Sequence, residues 1–206
     1  MRTRSSLVFA AAVAGGLMLS GCDAADESEA NDDLTVSELT GVWEQSCTQD
    51  ADDDSQYNTE TMTIADTSVA IEMGSFSDAD CSEQSMLISI VGTLADAQEL
   101  DAPEGAKTLD FTPSAATLTL KTAVMVEYFN AESICGGSWV LNEAKAILDV
   151  ICEGSDVGDG LAAILDPKYD IYKIEDSKLY TGDTTSTSDT RASAFSTAYY
   201  TKGSVE

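Results

Sequence analysis

Five cysteines, 37 acidic residues and not one histidine define the chemistry open to this 206-residue chain. Without histidine there is no ordinary general base, no serine or cysteine triad of the usual kind, and no common zinc or copper site. The nucleophile patterns G-x-S-x-G and S-x-x-K are absent as well. Carboxylate pairs are the only abundant catalytic resource, and nothing singles out one pair among so many acids. The reading is of a protein that is not an enzyme and has no resident cofactor. Calcium is the one ion for which suitably spaced oxygens are on offer. Asp50, Asp52 and Asp54 take the first, third and fifth places of an EF-hand-like loop. Ser55 then stands where that loop needs glycine and Thr61 where it needs glutamate, so a solvated acidic loop is preferred. Asp156 and Asp159 make a weaker second candidate.

Cys22 is set apart from the other four cysteines by what precedes it. Arg2 and Arg4 form a positive start, Leu7 to Leu19 is apolar, and Ser20-Gly21 is small. That run is too short for a spanning helix and reads as a secretory signal over residues 1–21. Leu19-Ser20-Gly21-Cys22 resembles the lipobox of bacterial lipoproteins. The resemblance implies a thioether-linked diacylglycerol on Cys22, often with an added palmitate-type amide chain, and a location in the cell envelope. Two or three such chains hold a protein in the bilayer where one does not. Asp23 resembles a retention signal for the inner membrane, but whether the protein stays there or moves to the outer membrane is left open. Residues 22–33 are acidic and lack aromatic or β-branched side chains, so they are expected to form an extended tether. The formal charge of −27 becomes two units more negative when Arg2 and Arg4 leave with the signal. Such a charge excludes nucleic acid as a partner.

Residues 34–206 then form one domain of short alternating runs. Thr59 to Ile64 and Val69 to Met73 pair about Asp66-Thr67, so that Met62 meets Ile71 and Ile64 meets Val69. Met86 to Leu94 reads as a strand covered on both faces, and residues 109–112 and 117–120 as two strands about Pro113-Ser114. Val124, Tyr128 and Ala131 share a helical spacing, which predicts one short helix near 121–132. Residues 137–141 and 146–152 read as a hairpin about residues 142–145, and Gly154 to Gly160 as a glycine-rich loop. Further strands are expected at 169–174, 179–182 and 195–202, the first two joined near Glu175-Asp176, with a loop at 184–190. Extending the 142–145 hairpin brings Cys135 opposite Cys152. The alternation of the first three strands brings Cys47 and Cys81 to one end of the sheet. The expected disulfides are therefore Cys47–Cys81 and Cys135–Cys152, each worth about 3–4 kcal/mol by loop entropy.

Gly41-Val42-Trp43 opens the domain, and a G-x-W triplet on a first strand resembles the lipocalin and avidin group. There the glycine lets the strand bend and the tryptophan plugs a closed barrel end. A late cation packs over the indole, and Arg191 and Lys202 are the candidates here. The T-D-Y motif of typical lipocalins is missing. The layout of Gly41 to Cys47, Asp80-Cys81, Cys135-Gly136, Trp139, Cys152, and the runs 169–174 and 179–183 also resembles uncharacterised bacterial lipoproteins. The expected fold is mainly β, a lipocalin-like antiparallel barrel of about 8–10 strands. Five tyrosines, at 169, 172, 180, 199 and 200, fall late; Tyr199 and Tyr200 must face opposite ways, so cross-strand packing is preferred to a shared ligand site. The expected function is a lipid-anchored binding or structural protein with a small apolar molecule as candidate ligand. The alternative is an acidic module that meets another envelope protein, with calcium.

Overall fold

A computed structural model describes residues 36–50, 53–152, 156–183 and 190–203. The signal segment, Cys22, the tether, Asp52 and most of the 184–190 loop lie outside the described residues. The strands are β1 (Gly41–Gln49), β2 (Tyr57–Ala65), β3 (Ser68–Phe76), β4 (Gln84–Leu94), β5 (Lys107–Leu120), β6 (Ala144–Ala146), β7 (Lys168–Glu175), β8 (Lys178–Thr181) and β9 (Tyr200–Lys202). The helices are α1 (Ala123–Ala131) and α2 (Asp156–Leu165), with short 3-10 turns at Val36–Leu39 and Ile134–Gly136. Eight strands pair antiparallel in chain order and close into a barrel, β1 meeting β9; β6 lies outside the ring on the edge of β5.

The β2–β3 hairpin has the expected register: Met62 pairs with Ile71, Ile64 with Val69, and the turn is Asp66-Thr67. Asp66 takes φ 54°, a left-handed conformation that aspartate tolerates better than most residues. β4 departs from expectation. Ile88, Ile90 and Leu94 are buried while Val91 is 45% exposed, so only one face is covered. β5 is a single strand that runs through Pro113. Val91 pairs with Ala115 and Gly92 with Pro113, leaving Ser114 as the extra residue of a bulge, a position that accommodates proline. Gly92 has a steric role there, because a Cβ would meet the Thr112 carbonyl at 2.3 Å and the Phe111 ring at 2.5 Å.

Residues 121–167 form an insertion between β5 and β7, and here two expectations fail. The hairpin about 142–145 does not form. Ser138 and Asn142 take left-handed φ values of 59° and 60°, which break an extended run, and Ala144–Ala146 pairs with Thr117–Thr119 of β5 instead. The segment is held by side chains: Asn130 accepts from the Trp139 backbone N–H at 2.6 Å and donates to its carbonyl at 3.0 Å. Trp139 lies edge-on to Phe129 at 5.5 Å. The second failure is the glycine-rich loop, most of which is helix α2. Two glycines inside it cost about 1 kcal/mol each, but Val157, Leu161, Ile164 and Leu165 repeat at helical spacing and pack on the core. α1 starts at Thr122, whose hydroxyl accepts from Met125 N at 3.3 Å.

Both disulfides form, Cys47–Cys81 and Cys135–Cys152, with Cα separations of 5.9 and 4.0 Å. The second pairing holds although the hairpin argument behind it does not. Paired cysteines suit an oxidising, extracytoplasmic compartment.

Candidate functional site: a hollow in the barrel

The two ends of the barrel are built differently. The starts of β1, β3, β5 and β8 and the returns of their neighbours define a closed end. Leu39, Trp43, Ile64, Val69, Leu94, Tyr172 and Leu179 fill it, each at most 5% exposed. The Trp43 indole N–H donates to the Leu39 carbonyl at 2.7 Å, and the Tyr172 hydroxyl donates to Glu38 at 2.7 Å. Lys202 Nζ lies 5.3 Å from the Trp43 ring centre. Gly41, at φ 132°, makes room for it: a Cβ there would meet Lys202 Cε at 3.0 Å. Arg191 lies elsewhere, forming a fork on the Asp110 carboxylate, with a further bond to the Asp170 carbonyl at 2.8 Å. It stands 5.8 Å from the Tyr169 ring.

Toward the other end the interior is hollow. β7 pairs with β5 only over Lys107–Phe111, so the rest of β5 has no β7 beside it in the ladder. α2 comes in over this region. Beneath it lies a hollow of about 440 Å³ lined by Gln45, Met73, Met86, Ile88, Leu161 and Ile164 among others. A second, of about 300 Å³, is walled by Ile71, Met73, Ile90, Phe111, Ile164 and Lys168. A third, of about 150 Å³, reaches back toward the closed end among Met62, Val69, Leu94, Leu109 and Tyr200. Glu60 lines all three.

Glu60 points inward because β2 alternates: it is in phase with the buried Met62 and Ile64. Its strand neighbours are Gln45 and Met73. Burial raises its carboxyl above the usual range, opposed in part by a hydrogen bond with the Tyr200 hydroxyl. Burial likewise pushes the Tyr200 phenol up, helped by the Glu60 charge. Asp170 also lines the hollow. Burial raises its carboxyl too, against backbone N–H groups of Ile171 and Gly182, which donate at 2.7 and 3.2 Å. Lys168 is the lining cation, its ammonium spent on the Ala163 carbonyl of α2, and burial lowers its pKa.

Nothing in the opening inventory of residues singled out Glu60, although the alternation that placed Met62 and Ile64 inside places it there as well. Of the residues that were singled out, Tyr169, Tyr200 and Asp50 line a hollow, and the other described ones lie apart from it. Asp50 accepts from Asp53 N at 3.2 Å and from Asn58 Nδ2 at 2.8 Å. Asp53 holds the Ser55 hydroxyl at 2.6 Å and the Ser55 N–H at 2.9 Å, which lowers its carboxyl pKa. Asp54 is exposed, and among the described residues no three acidic side chains converge on a metal position. Asp159 is exposed on α2. Tyr200 faces inward and Tyr199 outward, 39% exposed and 5.8 Å from Tyr180.

No family model matches this chain, and no curated protein sequence matches it.

Proposed function

We propose that the domain is a lipocalin-like ligand carrier, held at the extracytoplasmic face of a bacterial envelope membrane by acyl chains on Cys22, and that it has no chemistry of its own. The observation that carries this reading is the hollow. An eight-stranded barrel is commonly filled by its own side chains, and the closed end of this one is. The other half instead holds a volume of about 300 Å³ walled mainly by Ile71, Met73, Ile90, Phe111 and Ile164, which continues into one of about 440 Å³ where Met73, Met86, Ile88, Leu161 and Ile164 face a polar rim that includes Gln45, Thr48, Gln49 and Asn58. Apolar walls with a few polar groups are what a small-molecule site requires. Lys202 over Trp43 at the filled end supports the likeness to lipocalins. The lipobox spacing and the two disulfides support the anchor and the compartment.

Native and intact mass measurements on protein extracted from the envelope in mild detergent test both halves of this reading. A mature species beginning at acylated Cys22 is expected, with a non-covalent small molecule bound. Ile71→Trp, which fills the hollow from one wall, should remove that molecule and the uptake of an apolar fluorescent dye. An unacylated chain cleaved elsewhere would overturn the anchor. A barrel that takes up neither ligand nor dye would overturn the carrier.

A further inference from the structure

We infer that the hollow selects a molecule with an apolar body and a protonated amine, the amine paired to the Glu60 carboxylate. This rests on the carrier reading and assigns the class of ligand. Glu60 is the one side chain common to all three hollows, so a ligand in any of them lies against it. No salt bridge reaches it among the described residues, although Lys168 lines two of the same hollows. Lys168 is bound to Ala163, Arg191 to Asp110, and Lys202 sits over Trp43 at the far end. Tyr200 gives Glu60 one hydrogen bond, and a carboxylate can accept about four. The apolar part of the lining is methionine, isoleucine and phenylalanine, which cannot solvate a charge but can hold an alkyl or aromatic body.

Charge decides between ligand classes. A carboxylate amphiphile would lie beside two acids, Glu60 and Asp170, against the one lining cation, Lys168, inside a protein of formal charge −27. A neutral alcohol can donate one hydrogen bond to Glu60 but brings no opposite charge. An ammonium supplies the missing donors and opposite charge together, and the Phe111 and Tyr200 rings can add cation–π attraction. The groups that face Glu60 are Tyr200 from β9 and Asp170 and Lys168 from β7. The lining residues of β1, β3, β4, β5 and α2 that face the hollows carry no charge, apart from Asp50 at the β1 end of the outer one. Glu60 must therefore be ionised for the amine to be preferred, and amine affinity should rise with pH through the Glu60 titration.

Decylamine, decanol and decanoate, titrated against the full chain by dye displacement, separate the possibilities. At pH 7.5 the amine should bind about tenfold or more tighter than the alcohol, with decanoate weakest. Glu60→Gln should bring amine and alcohol within about threefold of each other. In the unaltered protein the amine preference should fade as pH is lowered and Glu60 protonates, an effect that needs no variant to fold. Alcohol binding with no amine preference, or tightest binding of decanoate, overturns the amine assignment and leaves the carrier standing. Failure of all three probes and of the dye overturns both.

Discussion

The two ends of this barrel share eight strands and little else. At the closed end each inward position is apolar or has its polar atom bound: Trp43 to Leu39, Tyr172 to Glu38, Glu38 in turn to Lys107 at 2.8 Å. At the other end an acid faces inward, the walls do not meet, and an inserted segment covers the gap. The contrast shows that one set of alternating strands can be used for cohesion over half its length and kept empty over the rest. What differs is side-chain volume and charge at the inward positions, Trp43 and Met62 against Gln45 and Glu60 on the same two strands.

The largest test of that contrast is Trp43→Ala. It removes the plug of the closed end and should cost about 3–5 kcal/mol in urea unfolding, where truncating Met73 on the hollow should cost much less. Next is the covalent staple of the insertion. Replacing Cys135 and Cys152 together by alanine should cost about 2–4 kcal/mol. Hydrogen exchange should show the loss concentrated in 121–167, with β1 to β4 protected as before. If β1 to β4 loosen equally, the insertion is part of the barrel's cohesion and the contrast fails.

The smallest expected effect has the opposite sign. Glu60 binds its proton more tightly in the folded barrel than in the unfolded chain, so its contribution favours folding at low pH and is lost as pH rises through the folded-state titration. Glu60→Gln removes that penalty. It should stabilise the empty protein by about 1–2 kcal/mol at neutral pH and give no advantage at pH 3–4, as read from melting temperatures across pH. A neutral or destabilising effect at pH 7.5 would mean that the Glu60 charge is already compensated in the folded state.

Much of the barrel was legible because strands announce themselves by alternation. Met62 against Ile71 and Ile64 against Val69 could be paired from residue types and one turn. The same rule placed Glu60 inside, yet one carboxylate among 37 is invisible until its neighbours are known. The insertion was harder to read. α2 contains two glycines that local propensity assigns to a loop, and only burial of Leu161 and its helical neighbours outweighs them. Residues 137–152 alternate well enough to suggest a hairpin, but β5 takes Ala144–Ala146 as its own partner. Pro113 suggested a break, and a bulge absorbed it.

Ring closure depends on a very small seam. Among the described residues β9 contributes three residues and pairs with β1 at two positions, Trp43 with Lys202 and Glu44 with Thr201, followed by a Gly203 N–H to Val42 carbonyl bond at 2.8 Å. β1 to β5 are neighbours in sequence and can zip together as local hairpins, whereas this seam joins segments about 160 residues apart, the kind of long-range pairing that forms late. Until that seam closes, β1 is expected to be a bare edge of an open curved sheet. That edge is the place where two nascent copies could add strand to strand, until residues near 200 arrive and cover it.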